Sequence, residues 1–574
     1  MVLQRQAKTP IWGWADPGET VTVKTGSITG NATADARGKW LVNLDGLKTS
    51  STPIEITVSG KSKTITLSDV LVGDVWYCSG QSNMEIPLSY VSNAAAEISQ
   101  ANRPTIRLFI VFHRPAIDPQ EDCRGEWKVC TPDSAKGFSA IGYLFGKEIN
   151  DAEHVPVGLI GAYSGGSLVS AWTSLGSLEA NPDSKKQLGD LFVGAKALVP
   201  KTGRTEGSLS PEQIKINSWA DLITGQFVHD DWYDNQGGKP YAEAMQKWHA
   251  DADPLYAQWK MDRDNAVAQG QPTPHRPTLS PTPTPPAVKE PRAMDGRQIP
   301  TMLYNGMLAP VLPYAIKGVI WYQGESDRNI GIFYRKLFPR MIADWRQQWG
   351  EGDFPFIFVQ LAGFTSTDDL TNNNWSLIQE AQLMTLDASP NTAMAVADDI
   401  GDLKNIHPHD KIDIAHRVAL AAEHLAYNEK VPYSGPIYDS FKVEGDKIKV
   451  TFKNGGSGLK IGLPPAAHLA LFPEELSTDM KGFQISGSDM NFVPATAVID
   501  GPASVTVSSD QVKTPVAVRY SWENIHGNLY NQDDLPASPF RTDTSTPALS
   551  IKPPPTPTPS PSPVNAGASP SPGR

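Results

Sequence analysis

Cysteine is scarce in this chain: among 574 residues there are three, Cys78, Cys123 and Cys130. So small a set says little, beyond the fact that an odd count forbids complete pairing. Cys123 and Cys130 are able to pair, which leaves Cys78 free. Long apolar runs are missing too. No stretch approaches the roughly 20 residues that cross a bilayer, so no membrane span is expected. Positive charge is in deficit: 50 Lys and Arg against 62 Asp and Glu leave a formal charge of -12. Such a balance repels phosphate backbones and no basic cluster reverses it locally, so nucleic acid is a poor partner. The opening MVLQRQAKTPIWGW has neither the charged start nor the apolar run of a secretory signal. That is expected of a cytoplasmic chain or of a processed one.

What is present describes a globular protein with 40% hydrophobic and 20% charged residues, too long for one hydrophobic core. Short alternating runs such as TVTVKTG and KWLVNL, broken by Gly, Asp and Ser, predict an N-terminal β domain over residues 1–66. From 67 to 200 apolar strands alternate with helical stretches, and the alternation resumes over 301–430, which predicts one parallel α/β sheet written in two parts. Between them, residues 201–300 read as a helical insertion ending in the Pro-rich linker PTPHRPTLSPTPTPP. Residues 431–545 again look β-rich, and the Pro-rich tail 546–574 has too little apolar surface to fold.

Four polar loops each follow an apolar strand of the α/β part, and an open parallel sheet gathers such loops at one edge. The first is Gly80-Gln81-Ser82-Asn83-Met84. A serine in a strand-to-helix turn is exposed, and its own N–H faces a developing oxyanion, which makes Ser82 a candidate nucleophile; capping the next helix is the plainer role for it. In the second, Ser164-Gly165-Gly166-Ser167, absent side chains let backbone N–H groups approach a substrate. The third is Trp321-Tyr322-Gln323-Gly324-Glu325-Ser326-Asp327, where the Gln323 amide suits an oxyanion and Glu325 can accept from a histidine or a sugar hydroxyl. The fourth runs from Asp398 to Lys411. It supplies the imidazole that a serine needs as base, with His407 favoured over His409. His407 and His409 with Asp398, Asp399 and Asp402 are an alternative metal set, although their crowding on one loop suits a closed site poorly and leaves Ser82 unexplained. No metal and no cofactor is expected.

At GQSNM, SGGS before AWTS, IKGVIWYQGESD and IHPHDK the chain resembles the sialate O-acetylesterase-like branch of the SGNH (GDSL-like) hydrolases, in that family's order. Further blocks, LYNGMLAPVLPYAIKG, DWRQQWG and NLYNQDDLPASPFRTD, extend the likeness over most of residues 10–543. The resemblance implies an α/β fold, a three-layer SGNH-hydrolase (flavodoxin-like) parallel-sheet core with flanking all-β domains. It implies a serine esterase acting on acetylated carbohydrate, sialic acid or a plant polysaccharide such as xylan or xyloglucan, in a periplasmic or secreted setting. Ser82 would attack the acetyl carbonyl and His407 act as base and then acid. The N–H groups of Ser82 and Gly165 with the Gln323 amide would hold the oxyanion. Many relatives carry an aspartate two or three residues before the histidine, where this chain has Asn405 and Lys404. Asp402 is the first choice for that role and Glu325 its rival, and a dyad steered by a backbone carbonyl is a further option. Arg328 is a candidate partner for a sialate carboxylate. A carbohydrate-binding protein with a decayed site, and a broader short-chain carboxylesterase, are the competing functions.

Overall fold

The structure, a computed structural model, describes residues 1–116, 118–180, 238–268, 297–365, 374–470, 477–522 and 526–544, with six further isolated positions between 274 and 473. The residues 201–237, most of the Pro-rich linker and the tail from 545 lie outside the described residues. The chain divides into two units. One comprises residues 1–187, 218–230 and 293–547, the other 188–217, 231–292 and 548–574. The described part of the second is essentially one helix, Gly238–Ala268, on the segment expected to be helical.

The larger unit is built on seven strands: β1 (Thr64–Gly80), β2 (Arg103–Ile110), β3 (Trp127–Cys130), β4 (Val157–Tyr163), β5 (Gly318–Tyr322), β6 (Phe356–Val359) and β7 (Thr392–Ala395). Their order across the sheet is β7-β6-β5-β1-β4-β2-β3, parallel except for β3, which runs antiparallel to β2. Strands β4, β5 and β6 and the second half of β1 are buried at every position. That is the mark of a parallel sheet covered on both faces, and it is why VWYC, VGLIGAY and GVIWY read as unbroken apolar runs.

Five helices matter for the site: α1 (Ser82–Glu85), α2 (Ala140–Glu153), α3 (Gly331–Trp349), α4 (Asn374–Ala388) and α5 (Ile412–Tyr427). Helix α2 packs with α5, and α3 with α4. From β1 the chain goes first to β2 and β3 at one edge, returns to β4 beside β1, and then crosses to the other side, where β5, β6 and β7 follow outward in order. The C-terminal end of β1 is therefore the switch point where an open α/β sheet leaves a crevice.

Strand β1 is 17 residues long, and its first half pairs antiparallel with Ser50–Ser59 of the N-terminal β unit. The expected edge between residues 66 and 67 thus falls inside one strand, and the N-terminal core around Val23, Trp40, Val42 and Ile56 continues onto Val70 and Val72 of β1 without a linker. The described residues from Ile437 to Arg541 form two four-stranded antiparallel sheets and a two-stranded one around Val450, Phe483, Val505 and Tyr520. Cys123 and Cys130 are not bonded to each other: all three thiols are free. Cys130 is buried at the end of β3, where its Sγ donates to the Ala101 carbonyl. Among the described residues no helix is long and apolar enough to cross a membrane.

Candidate active site

The turn after β1 starts at Gly80, whose φ is +139° and whose hydrogen occupies space where a Cβ would lie 2.1 Å from the Tyr322 carbonyl oxygen. Only glycine fits there. The close approach stitches three strand ends together: Gln81 N–H donates to Tyr322 O at 2.9 Å and Ser164 N–H to Gly80 O at 3.0 Å. The Gln81 side-chain oxygen also accepts from the backbone of Gly324 and Ser326. Ser82 follows at the first position of α1, half-buried, with no side-chain cap on that helix. Its N–H belongs to an uncapped first turn.

The histidine arrives from 325 residues away in sequence. His407 Nε2 lies 2.9 Å from Ser82 Oγ. The loop after β7 carries it, and two anchors fix that loop next to the ring: Asn405 Oδ1 accepts from His407 N–H at 3.0 Å, and Asn83 Nδ2 donates to the Ile406 carbonyl at 3.0 Å. Burial holds the imidazole below the ordinary histidine value, and the charge of Lys411 adds to this. A neutral ring is the form able to accept the serine proton.

The other expected residues are used differently. Asp402 Oδ1 accepts from Lys404 N–H at 2.9 Å in a local turn that Asn405 N–H closes onto the Asp402 carbonyl. Its carboxylate bonds the loop's own backbone and not His407, and among the described residues no other carboxylate bonds that ring. Gln323 lies within reach of the same strand ends, yet its amide donates to Ser167 O and Asp327 Oδ2 while its oxygen accepts from Tyr334. Both amide protons are therefore committed inside the protein rather than aimed at the serine. Gly165 N–H points to the right region, where it donates to Glu85 Oε2 at 2.6 Å, and a Cβ on Gly165 would stand 3.4 Å from that of Ser82.

Glu325 is buried and bonds Asn83 Nδ2 at 2.5 Å, not the imidazole. Burial raises its pKa. Arg328 sits in the turn Glu325–Ile330 with its Nε buried and without an acceptor. His409 stacks on Tyr90, ring centroids 4.5 Å apart, and its Nδ1 meets the Tyr90 carbonyl. Asp399 is clasped by both terminal nitrogens of Arg417, and Asp398 accepts from Gln379. The alternative metal set is thus dispersed, and among the described residues no three His, Cys, Asp or Glu side chains gather in a metal-holding group.

Sequence reasoning missed Asn83, Glu85, Lys411 and the contact between His113 Nε2 and Ser164 Oγ at 2.5 Å. Asn83 and Lys411 stood inside quoted motifs, but no periodicity or spacing rule assigns a role to a polar residue beside a nucleophile.

Residues 240–423, a span that includes Gln323, Glu325 and His407, match the family described as carbohydrate esterase, sialic acid-specific acetylesterase. The crystal structure of a carbohydrate acetylesterase from Xanthomonas citri is 32% identical and superposes with a TM-score of 0.70, covering 95% of this chain and 97% of that one. The chain belongs to this carbohydrate esterase family. Other relatives are the sialate O-acetylesterases of Homo sapiens, 28% identical across 94% of this chain and 90% of that protein, and of Mus musculus, 27% identical across 94% and 92%. In this carbohydrate esterase the strand ends β1, β4, β5 and β7 therefore carry the serine, the glycine pair, the Gln–Glu loop and the histidine.

Proposed function

We propose that this carbohydrate O-acetylesterase hydrolyses its ester through an acetyl enzyme formed on Ser82. The observation that carries the reading is the 2.9 Å contact between His407 Nε2 and Ser82 Oγ at the switch point of the sheet. Ser82 Oγ attacks the acetyl carbonyl carbon while His407 Nε2 takes the hydroxyl proton. The tetrahedral oxyanion then collapses, His407 returns that proton to the departing sugar oxygen, and the acetyl group stays on Ser82. Water attacks the acetyl enzyme with His407 again as base, which releases acetate and restores the hydroxyl.

The N–H groups of Ser82 and Gly165 are the oxyanion donors in this reading, the second after the exposed Glu85 carboxylate yields its place to substrate. The pair works as a dyad, its imidazole held by the backbone anchors at Asn405 and Asn83 rather than by Asp402. The two helix pairs, α2 with α5 and α3 with α4, are read as the outer layers of a three-layer SGNH sandwich. The substrate is the O-acetyl ester of a glycan, sialic acid or a plant polysaccharide such as xylan or xyloglucan.

Ser82→Ala should lower acetate release from 4-nitrophenyl acetate by about a thousandfold or more, and wild-type turnover in that variant would overturn the mechanism. Acetate release compared on acetylated sialic acid, xylan and xyloglucan decides among the glycans. A preference for octanoyl over acetyl esters would instead make the protein a general carboxylesterase.

A further inference from the structure

Beneath the serine and histidine lies a buried polar chain that acid–base chemistry at Ser82 does not by itself require. Asn83 is its hub. Its Nδ2 donates to Glu325 Oε1 at 2.5 Å and to the Ile406 carbonyl at 3.0 Å, and its Oδ1 accepts from Lys411 Nζ at 2.6 Å. Lys411 is fully buried, and its Nζ stands 5.4 Å from the centre of the Tyr322 ring. The chain thus spans three separate loops: the one carrying the serine, the one after β5, and the histidine loop at the peptide bond directly before His407.

Stability alone would not select these residues. Lys411 is the N-cap of α5, the end of a helix where a cation is disfavoured and where Ser, Thr, Asp or Asn would satisfy the first N–H groups. A buried ammonium with one hydrogen bond, facing a buried carboxylate whose Oε2 has no partner, is a costly arrangement that an apolar pair of similar volume would improve. Costly polar groups of this kind concentrate where chemistry is done.

We infer that Lys411, acting through Asn83 and balanced by Glu325, is a positioning residue for the Ser82–His407 pair. It takes over the orienting part of a triad acid's role, by clamping the Ile406–His407 peptide through Asn83, and its charge favours the neutral imidazole. Two independent facts converge here. Asp402 is turned away and among the described residues no other carboxylate bonds His407, yet the ring still meets Ser82 Oγ. The charged and titratable groups around Lys411 are Glu325 from the loop after β5, Asp410 next to it in the chain, Tyr322 at the end of β5, and His407 itself. Burial pushes the ammonium down to about 7, while Glu325 and Asp410 oppose the shift. While Lys411 is charged, it holds the pKa of His407 down.

The inference rests on the esterase reading, and the experiment separates the two. In the full chain, acetate release from 4-nitrophenyl acetate is followed against pH for the parent, Lys411→Met, Glu325→Gln and Ser82→Ala, with thermal unfolding recorded for each. Lys411→Met removes the cation and keeps the apolar stem. Glu325→Gln keeps an acceptor for Asn83 and removes the carboxylate that helps Lys411 stay protonated. In both, kcat should fall by about tenfold or more with KM little changed, as for a small misplacement of a catalytic group, and the acid limb of kcat/KM should leave its parent position, moving to higher pH in Lys411→Met, where a cation that lowers the pKa of the imidazole is gone. A residue with a structural role alone would lower activity without moving that limb. An unmoved acid limb in the folded variants overturns the inference, and Glu325→Gln alone decides it if Lys411→Met fails to fold. Persistent turnover in Ser82→Ala would instead overturn the esterase reading.

Discussion

At the scale of single residues, the site depends on which polar atoms are already committed. The His407 imidazole is held below the ordinary histidine value of 6.5, chiefly by burial and then by Lys411. A base must be neutral to accept a proton, so activity falls as pH drops through the pKa of the ring, and a lowered pKa moves that fall to more acid pH. The kcat/KM profile for an acetyl ester should therefore hold its plateau below pH 6.5, and an acid limb centred above that value would contradict the geometry. Asp402 gives a second test. With its carboxylate spent on Lys404 N–H, Asp402→Ala should lower kcat/KM by less than about tenfold, whereas the loss of a true triad acid costs on the order of ten-thousandfold. The serine and histidine were legible in sequence because each sits in a short polar block after an apolar strand. The fate of Asp402 and Gln323 was not, since it turns on side-chain directions a few ångströms from the site.

At the scale of elements, the turn after β1 decides whether the loops meet. Gly80 has both a backbone angle that L side chains avoid and a carbonyl oxygen where a Cβ would stand. Gly80→Ala must push β1 away from β5 or rebuild the turn, and should cost more than about 2 kcal/mol of stability together with most of the activity. Chemical denaturation read beside acetate release checks this, and an unchanged midpoint would show that the two strand ends can separate freely. The strands of the parallel sheet were legible as apolar runs because both faces are buried. The continuity of β1 into the N-terminal unit was not, because its first half alternates like an independent β strand and only the pairing with Ser50–Ser59 shows it to be the same strand.

At the scale of the whole molecule, the larger unit binds its β-rich parts to the α/β sheet through two buried polar contacts, Tyr530 to Asp399 and Ser538 to Gln360, and a partly buried one, Arg541 to Glu380. Buried acids also tie its stability to pH. Asp327 accepts from Val169 N–H and Gln323 while its Oδ1 has no partner, and burial pushes its pKa up to about 7 from 3.8. A folded-state pKa above the unfolded one means that the folded protein holds this proton more tightly. The stabilisation is complete below pH 3.8 and is lost as pH rises through about 7, an effect of up to roughly 4 kcal/mol. The unfolding temperature should thus decline from pH 5 to pH 8, and Asp327→Asn should flatten part of the decline; equal slopes in parent and variant would refute the assignment. The amino-acid sequence by itself determined the class of fold, the order of the four loops and the two residues that meet, because apolar strands and polar turns are local patterns. Only the tertiary structure decided that Asn83, Glu325 and Lys411 form one buried chain while Asp402 stands aside. Those contacts join residues more than two hundred positions apart, and no local pattern encodes which of several nearby polar groups will share a proton.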